Sequence, residues 1–144
     1  MMRLFTHLGG ATATITPGVL LLAVGGNVRH LGLAMLAANL LSHLPVQLLK
    51  RLVARARPSD ANGVPLALVD LPDPFSFPSG HAAAATAVAV TASLAYPWIA
   101  PVALPLAFLV AMSRVTLRVH YLSDVVAGAI LGLGGALAVH SLLG

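Results

Sequence analysis

Cysteine is absent from this chain, and charge is nearly so. Without a thiol, disulfides and thiolate metal sites are excluded. Charged residues make up 8% of 144 residues, where a soluble domain carries about 25%, so polar groups cannot cover the outside of the fold. Hydrophobic residues reach 58%, and the mean hydropathy is +0.93. Lipid must take the place of water over much of the surface, and an integral membrane protein is expected. The little charge present runs positive, at +4 net. Such a balance can accompany nucleic acid. Here the basic residues sit at the ends of apolar runs and lack interleaved aromatics, so no nucleic-acid partner is expected.

Charge is missing in blocks. Residues 4–28, 30–49, 74–113 and 125–144 contain no Asp, Glu, Lys or Arg. A bilayer span needs roughly 20 apolar residues. These runs therefore hold one, one, two and one spans, the long run breaking at Tyr96-Pro97-Trp98, where proline and interfacial aromatics suit a headgroup-level turn. The expected architecture is an all-α, polytopic membrane bundle with about five transmembrane helices. They are placed at 4–24, 31–56, 79–96, 99–119 and 123–143, with Gly25-Gly26-Asn27 as a turn and Pro45 as a kink. One domain over 1–144 is expected. The only long polar segment, 59–78, carries Pro65, Pro72, Pro74 and Pro78 and reads as a loop outside the hydrocarbon. The N-terminal run is expected to be a retained span, because Pro17 divides it and no small-x-small site follows Val24. Gly128 and Gly132 form a G-x-x-x-G pair, expected to serve close packing inside the monomer.

In this order, the second helix ends, the third begins, the fourth ends and the fifth begins at one face of the membrane. The unusual polar residues collect there. Lys50 and Arg57, about two helical turns apart, are expected on one helix face. Pro78-Ser79-Gly80-His81 opens the third helix, whose N-terminus offers free amides and a positive dipole end to an anion. Ser113-Arg114 closes the fourth. His120 and Asp124, spaced i and i+4, meet if that stretch is helical. Cations, imidazoles and a carboxylate around a helix N-terminus suit phosphoryl transfer, where charge spreads over equatorial oxygens and catalysis requires donors and placement. One histidine can attack phosphorus, a second can protonate the leaving oxygen, and a carboxylate can hold the attacker's tautomer.

Lys50-x6-Arg57-Pro58, Pro78-Ser79-Gly80-His81 and Ser113-Arg114-x5-His120-x3-Asp124 resemble the three motifs of the type-2 phosphatidic acid phosphatase superfamily, in type, order and spacing. The motif core spans 50–124. The resemblance implies a membrane phosphatase acting on a lipid phosphate or diphosphate through a phosphohistidine. His120 would be the nucleophile, Asp124 its orienting carboxylate, and His81 the general acid and then base. Lys50, Arg57, Ser79, Gly80 and Arg114 would hold the phosphate oxygens. It also implies no metal or other cofactor, in keeping with a chain that has four acidic residues from which to build a two-metal site. Activity is expected to follow a bell in pH, since His120 must be neutral while His81 is charged. Members commonly carry six spans and this chain has room for about five; the missing one would precede the second helix.

Plainer uses are expected elsewhere. Arg51, Arg55 and Arg118 read as boundary cations reaching to headgroups. His7, His30 and His140 read as interfacial. Asn39, Ser42, His43 and Gln47 are expected to hydrogen-bond between helices, with lining of a lipid entry route as the lesser alternative for His43 and Gln47. Asp60, Asp70 and Asp73 read as solvated loop residues, with screening of the cationic site or preference for one headgroup as the alternative. The substrate is left open among polyprenyl diphosphate, phosphatidic acid, phosphatidylglycerophosphate and a polyprenyl-linked sugar phosphate. Two other readings are a phosphatase of a water-soluble phosphate on the same site, and a non-catalytic lipid-binding or transport protein. The resemblance implies an extracytoplasmic site. Arg3, Arg51, Arg55 and Arg118 on the site's side, against Arg29 opposite, point instead to the cytoplasm. The extracytoplasmic face of the cell membrane is taken as the expectation.

Overall fold

The computed structural model describes residues 2–69, 71 and 73–143, apart from the side chain of Arg3. It is all-helical: α1 (Met2–Leu8), α2 (Ala11–Val24), α3 (Arg29–Val53), α4 (Gly80–Ala95), α5 (Ala100–Thr116) and α6 (Leu122–Leu143). Short 3-10 turns at Gly26–Val28 and Pro97–Ile99 lead into α3 and α5. Three helical stretches, Gly26–Val53, Pro97–Thr116 and Leu122–Leu143, are long and apolar enough to cross a bilayer, and Ala11–Val24 and Gly80–Ala95 are shorter apolar helices. The membrane bundle read from the charge-free runs is therefore present, with one more short helix in front.

That extra helix corrects the first expected span. A continuous helix over 4–24 is interrupted at Gly9-Gly10, which turn back onto the carbonyls of Thr6 and His7. A Cβ on Gly9 would meet Val110 at 2.4 Å and His81 at 3.1 Å, so the break lets the backbone press against α5 and the start of α4. Two other ends move inward. Helix α3 runs through Pro45 but stops at Val53, with Ala54 left-handed at φ 46°, rather than at 56. Helix α5 stops at Thr116 rather than 119, and Arg118, at φ 56°, reverses the chain.

The centre of the bundle is α4, packed by α3, α5 and α6. Its Ala82, Ala83 and Ala87 are wholly buried, and small side chains let neighbouring backbones come close. Cβ atoms on Gly128 and Gly132 of α6 would each lie 2.3 Å from an α4 carbonyl oxygen, that of Ser79 and that of Ala83. Gly135 makes a similar approach to Ala38 of α3. The G-x-x-x-G pair thus packs inside the monomer. Large apolar side chains, among them Leu20, Leu44, Phe108 and Ile130, point outward, as lipid-facing residues must. The Tyr96 and Trp98 rings lie 6.3 Å apart, tilted by 57°, at the turn before α5. His30 and His140 line a hollow with Thr91 at the same end of the bundle. Among the described residues Ser42 does not make the interhelical bond expected of it: its hydroxyl donates to Asn39 O in its own helix at 2.8 Å, leaving Gly135 to close on it.

Candidate active site

At the other end, α3, α4, α5 and α6 bring their polar termini together. Lys50, in the last turn of α3, is buried. Beyond Ala54 the chain runs antiparallel to the segment before α4. Ala56 bridges Phe75, and Ser76 N donates to Arg55 O at 2.8 Å. Arg57 therefore lies off the helix, and the shared helix face expected of Lys50 and Arg57 is not how they meet. They meet on Asp73. Lys50 Nζ donates to its two carboxylate oxygens at 2.9 and 2.8 Å, and Arg57 Nη2 reaches Oδ1 at 3.2 Å. Asp73 is thus a bridging anion and not the solvated loop residue expected, because two buried cations side by side need a counter-charge. Burial pushes its carboxyl upward, but the Lys50 bond and charge, the Phe75 amide and Arg57 together hold it below the usual carboxylate range. Asp70 lies outside the described residues.

Helix α4 opens with Ser79 in an extended conformation, its hydroxyl accepting from Ala82 N at 3.4 Å as an N-cap. Ser79 N donates to Asp124 O at 2.9 Å, which locks the start of α4 to the start of α6. Gly80 and His81 form the first turn. At the end of α5, Ser113 is buried and spends its hydroxyl on Val110 O at 2.6 Å. Arg114 is buried beside it, donates through Nη1 to Thr6 Oγ1 of α1, and keeps a buried Nε with no partner among the described residues.

His120 sits in the turn between α5 and α6, so the helical stretch expected to join it to Asp124 begins only at Leu122. The two still approach, with His120 Nδ1 3.6 Å from Asp124 Oδ2. On its other side, His120 Nε2 is 3.4 Å from Arg57 Nη1, which also donates to Val119 O at 2.9 Å. Burial first, then the charges of Arg57 and Arg114, push the His120 imidazole down to about 3, so it is held neutral. Asp124 is completely buried, its carboxylate accepting from Tyr121 N at 2.8 Å and Arg55 Nη1 at 2.9 Å.

A cavity of about 510 Å³ gathers these groups. Its polar end is lined by Lys50, Arg57, Asp73, Gly80, His81, Arg114 and His120, and its apolar end by Ile15, Leu36, Leu40 and Ala84. Asn39, His43 and Gln47 stand between, the last two joined by a 2.8 Å hydrogen bond. Of the residues expected at the site, Ser79 and Asp124 sit behind the wall and the rest face the cavity. Among the described residues, no group of three or more His, Cys, Asp or Glu is placed to hold a metal ion. Thr6 and Arg55 join the cluster without having been expected there, and Asp73 takes the alternative use, screening the cations of the site. Arg51 and Arg118 stay exposed, as read.

The PAP2 superfamily model matches residues 27–144. A decaprenylphosphoryl-5-phosphoribose phosphatase of Mycobacterium tuberculosis is 42% identical over 98 residues, which cover 67% of this chain and 52% of that protein. An undecaprenyl-diphosphatase of Sulfolobus acidocaldarius is 32% identical over 117 residues, covering 81% of this chain and 57% of the relative. The chain thus spans little more than half the length of these two. Among solved structures, the transmembrane PAP2 type phosphatidylglycerolphosphate phosphatase of Bacillus subtilis superposes with a TM-score of 0.78 at 30% identity, over 98% of this chain and 74% of that one. The helix order, the convergent polar ends and the family match from the start of α3 onward agree, and the chain belongs to the PAP2 superfamily.

Proposed function

We propose that this chain is a membrane phosphatase that removes a terminal phosphate from a lipid phosphate or diphosphate through a phosphohistidine on His120. The observation that carries the reading is the two-ended cavity. Cations and both histidines line one end, and aliphatic side chains line the other. A phosphate with an apolar tail fits that division. A water-soluble phosphate would leave the aliphatic half unused. Asp73 adds support, since its carboxylate already lies between Lys50 and Arg57, where a substrate's phosphate oxygens would bind.

The chemistry follows from the ring's surroundings. Arg57 can only donate, so the His120 nitrogen facing it, Nε2, carries the lone pair and Nδ1 the proton. Nε2 attacks phosphorus, the P–O bond to the lipid breaks, and His81 gives its proton to the departing oxygen. Asp124 offsets the charge that develops on the ring. A water then gives a proton to His81 and attacks the phosphohistidine, releasing phosphate and restoring His120. Lys50, Arg57, Arg114 and the Gly80 amide hold the equatorial oxygens throughout, while the Ser79 amide, spent on Asp124 O, fixes the start of α4. The relatives' names favour a polyprenyl-linked phosphate over a diacylglycerol one. The site is proposed to face the extracytoplasmic side of the cell membrane, within one domain over 1–144.

Phosphate release from a panel of polyprenyl diphosphate, polyprenyl-linked sugar phosphate, phosphatidic acid and glucose phosphate in detergent tests the substrate. Alkaline quench with radioactive substrate should trap an acid-labile label that His120→Ala cannot form. Turnover by His120→Ala at a normal rate would refute the mechanism, and binding of lipid without any release would favour a transport or carrier role.

A further inference from the structure

Asp124, the carboxylate that would orient the nucleophile, is gripped from behind. Its Oδ2 accepts the Tyr121 amide at 2.8 Å and its Oδ1 accepts Arg55 Nη1 at 2.9 Å. His120 Nδ1 stands at 3.6 Å and makes no hydrogen bond among the described residues. Arg55 is itself fixed. The same Nη1 donates to Ser123 Oγ at 2.8 Å, the guanidinium lies 4.1 Å over the Tyr121 ring, and Arg55 O accepts from Ser76 N. The residue therefore joins three segments: the turn after α3, the approach to α4 and the start of α6. It does not line the cavity. Apart from Asp124 itself, the other titratable groups near His120, namely Lys50, Arg57, Asp73, His81 and Arg114, all do.

A completely buried carboxylate without a cation partner is costly. We propose that Arg55 is a positioning residue for the phosphohistidine reaction, holding Asp124 turned so that Oδ2 faces His120 Nδ1. The inference rests on the function proposed above. When Nε2 forms the N–P bond, the ring becomes cationic and its Nδ1–H closes on Oδ2. The Arg55 pair at Oδ1 keeps that oxygen in place without touching substrate.

A double-mutant cycle tests this, with single-turnover labelling by a radioactive lipid phosphate and steady-state phosphate release as readouts. Arg55→Gln is expected to lower kcat on the order of tenfold, the scale on which outer-shell partners act, with KM unchanged. Arg55→Lys should recover most of that loss, and it guards against a folding defect in Arg55→Gln, which thermal melts would reveal. In an Asp124→Asn background, adding Arg55→Gln should change little further. An equal loss in both backgrounds, or a raised KM with kcat intact, would overturn the proposal. If His120→Ala is inactive while Arg55→Gln turns over at the unsubstituted rate, the Arg55 inference fails alone. If His120→Ala remains active, the function itself fails.

Discussion

Replacing Gly128 by alanine adds one methyl group, yet it should cripple the site while leaving the protein folded. The new Cβ would fall 2.3 Å from Ser79 O, where ordinary contact begins at 3.4 Å, so α4 and α6 must part locally by about 1 Å. That oxygen belongs to the residue capping α4, directly before Gly80 and His81, and the same residue's N–H bonds Asp124 O at 2.9 Å. The shift therefore moves Gly80, whose amide is proposed to hold phosphate, and His81 away from His120. A displacement of about 1 Å commonly costs about 100-fold in rate, while overpacking costs about 1–3 kcal/mol of stability. Phosphate release in detergent, set beside thermal melting, separates the two effects. Gly134, where an added Cβ meets nothing within 4 Å, provides the control on the same helix. Gly134→Ala should keep full activity and gain a little stability from helix propensity. A folded Gly128→Ala protein with normal turnover would refute the idea that this crossing sets the site's geometry.

Arg114→Ala should lower kcat by about 100- to 1000-fold, as loss of an oxyanion donor does, measured by phosphate release. Asp73→Asn removes the anion that competes for Lys50 and Arg57. Inorganic phosphate should then inhibit at roughly tenfold lower concentration, the equivalent of one charge-assisted hydrogen bond. An unchanged inhibition constant would show that Asp73 does not compete with phosphate. The folded state holds the His120 proton only near pH 3, against an ordinary value of 6.5, so between those limits the unfolded chain binds more protons. Stability should therefore fall as pH drops from 7 towards 4, and melts of His120→Asn across that range should show a shallower fall.

The helices were legible because bilayer-spanning segments must exclude charge, and Arg29, Lys50, Asp73, Arg114 and Asp124 punctuate the chain where spans change. The site was legible for a related reason: Lys50, His81, Arg114 and Asp124 each stand at a helix end, and alternating helices bring those ends to one face. Other features depend on contacts far along the chain. Nothing near Asp73 announces that it bridges Lys50 and Arg57, which requires the antiparallel turn at Ala56 and Phe75. Arg55 looks like its neighbour Arg51, and only the left-handed Ala54 turns one inward and leaves the other exposed. Thr6 meets Arg114 across most of the sequence. The break at Gly9 depends on Val110 and His81, although the adjacent Gly10 was a hint that helix continuity was weak there.

A chamber bounded by aliphatic walls on one flank and cations on the other offers its two products surroundings of opposite character. A freed lipid alcohol would return sideways to the bilayer, while inorganic phosphate would leave into water. Once separated, the two would have to arrive together from different phases to reverse the step. Such an enzyme would be driven forward by partition as well as by bond chemistry.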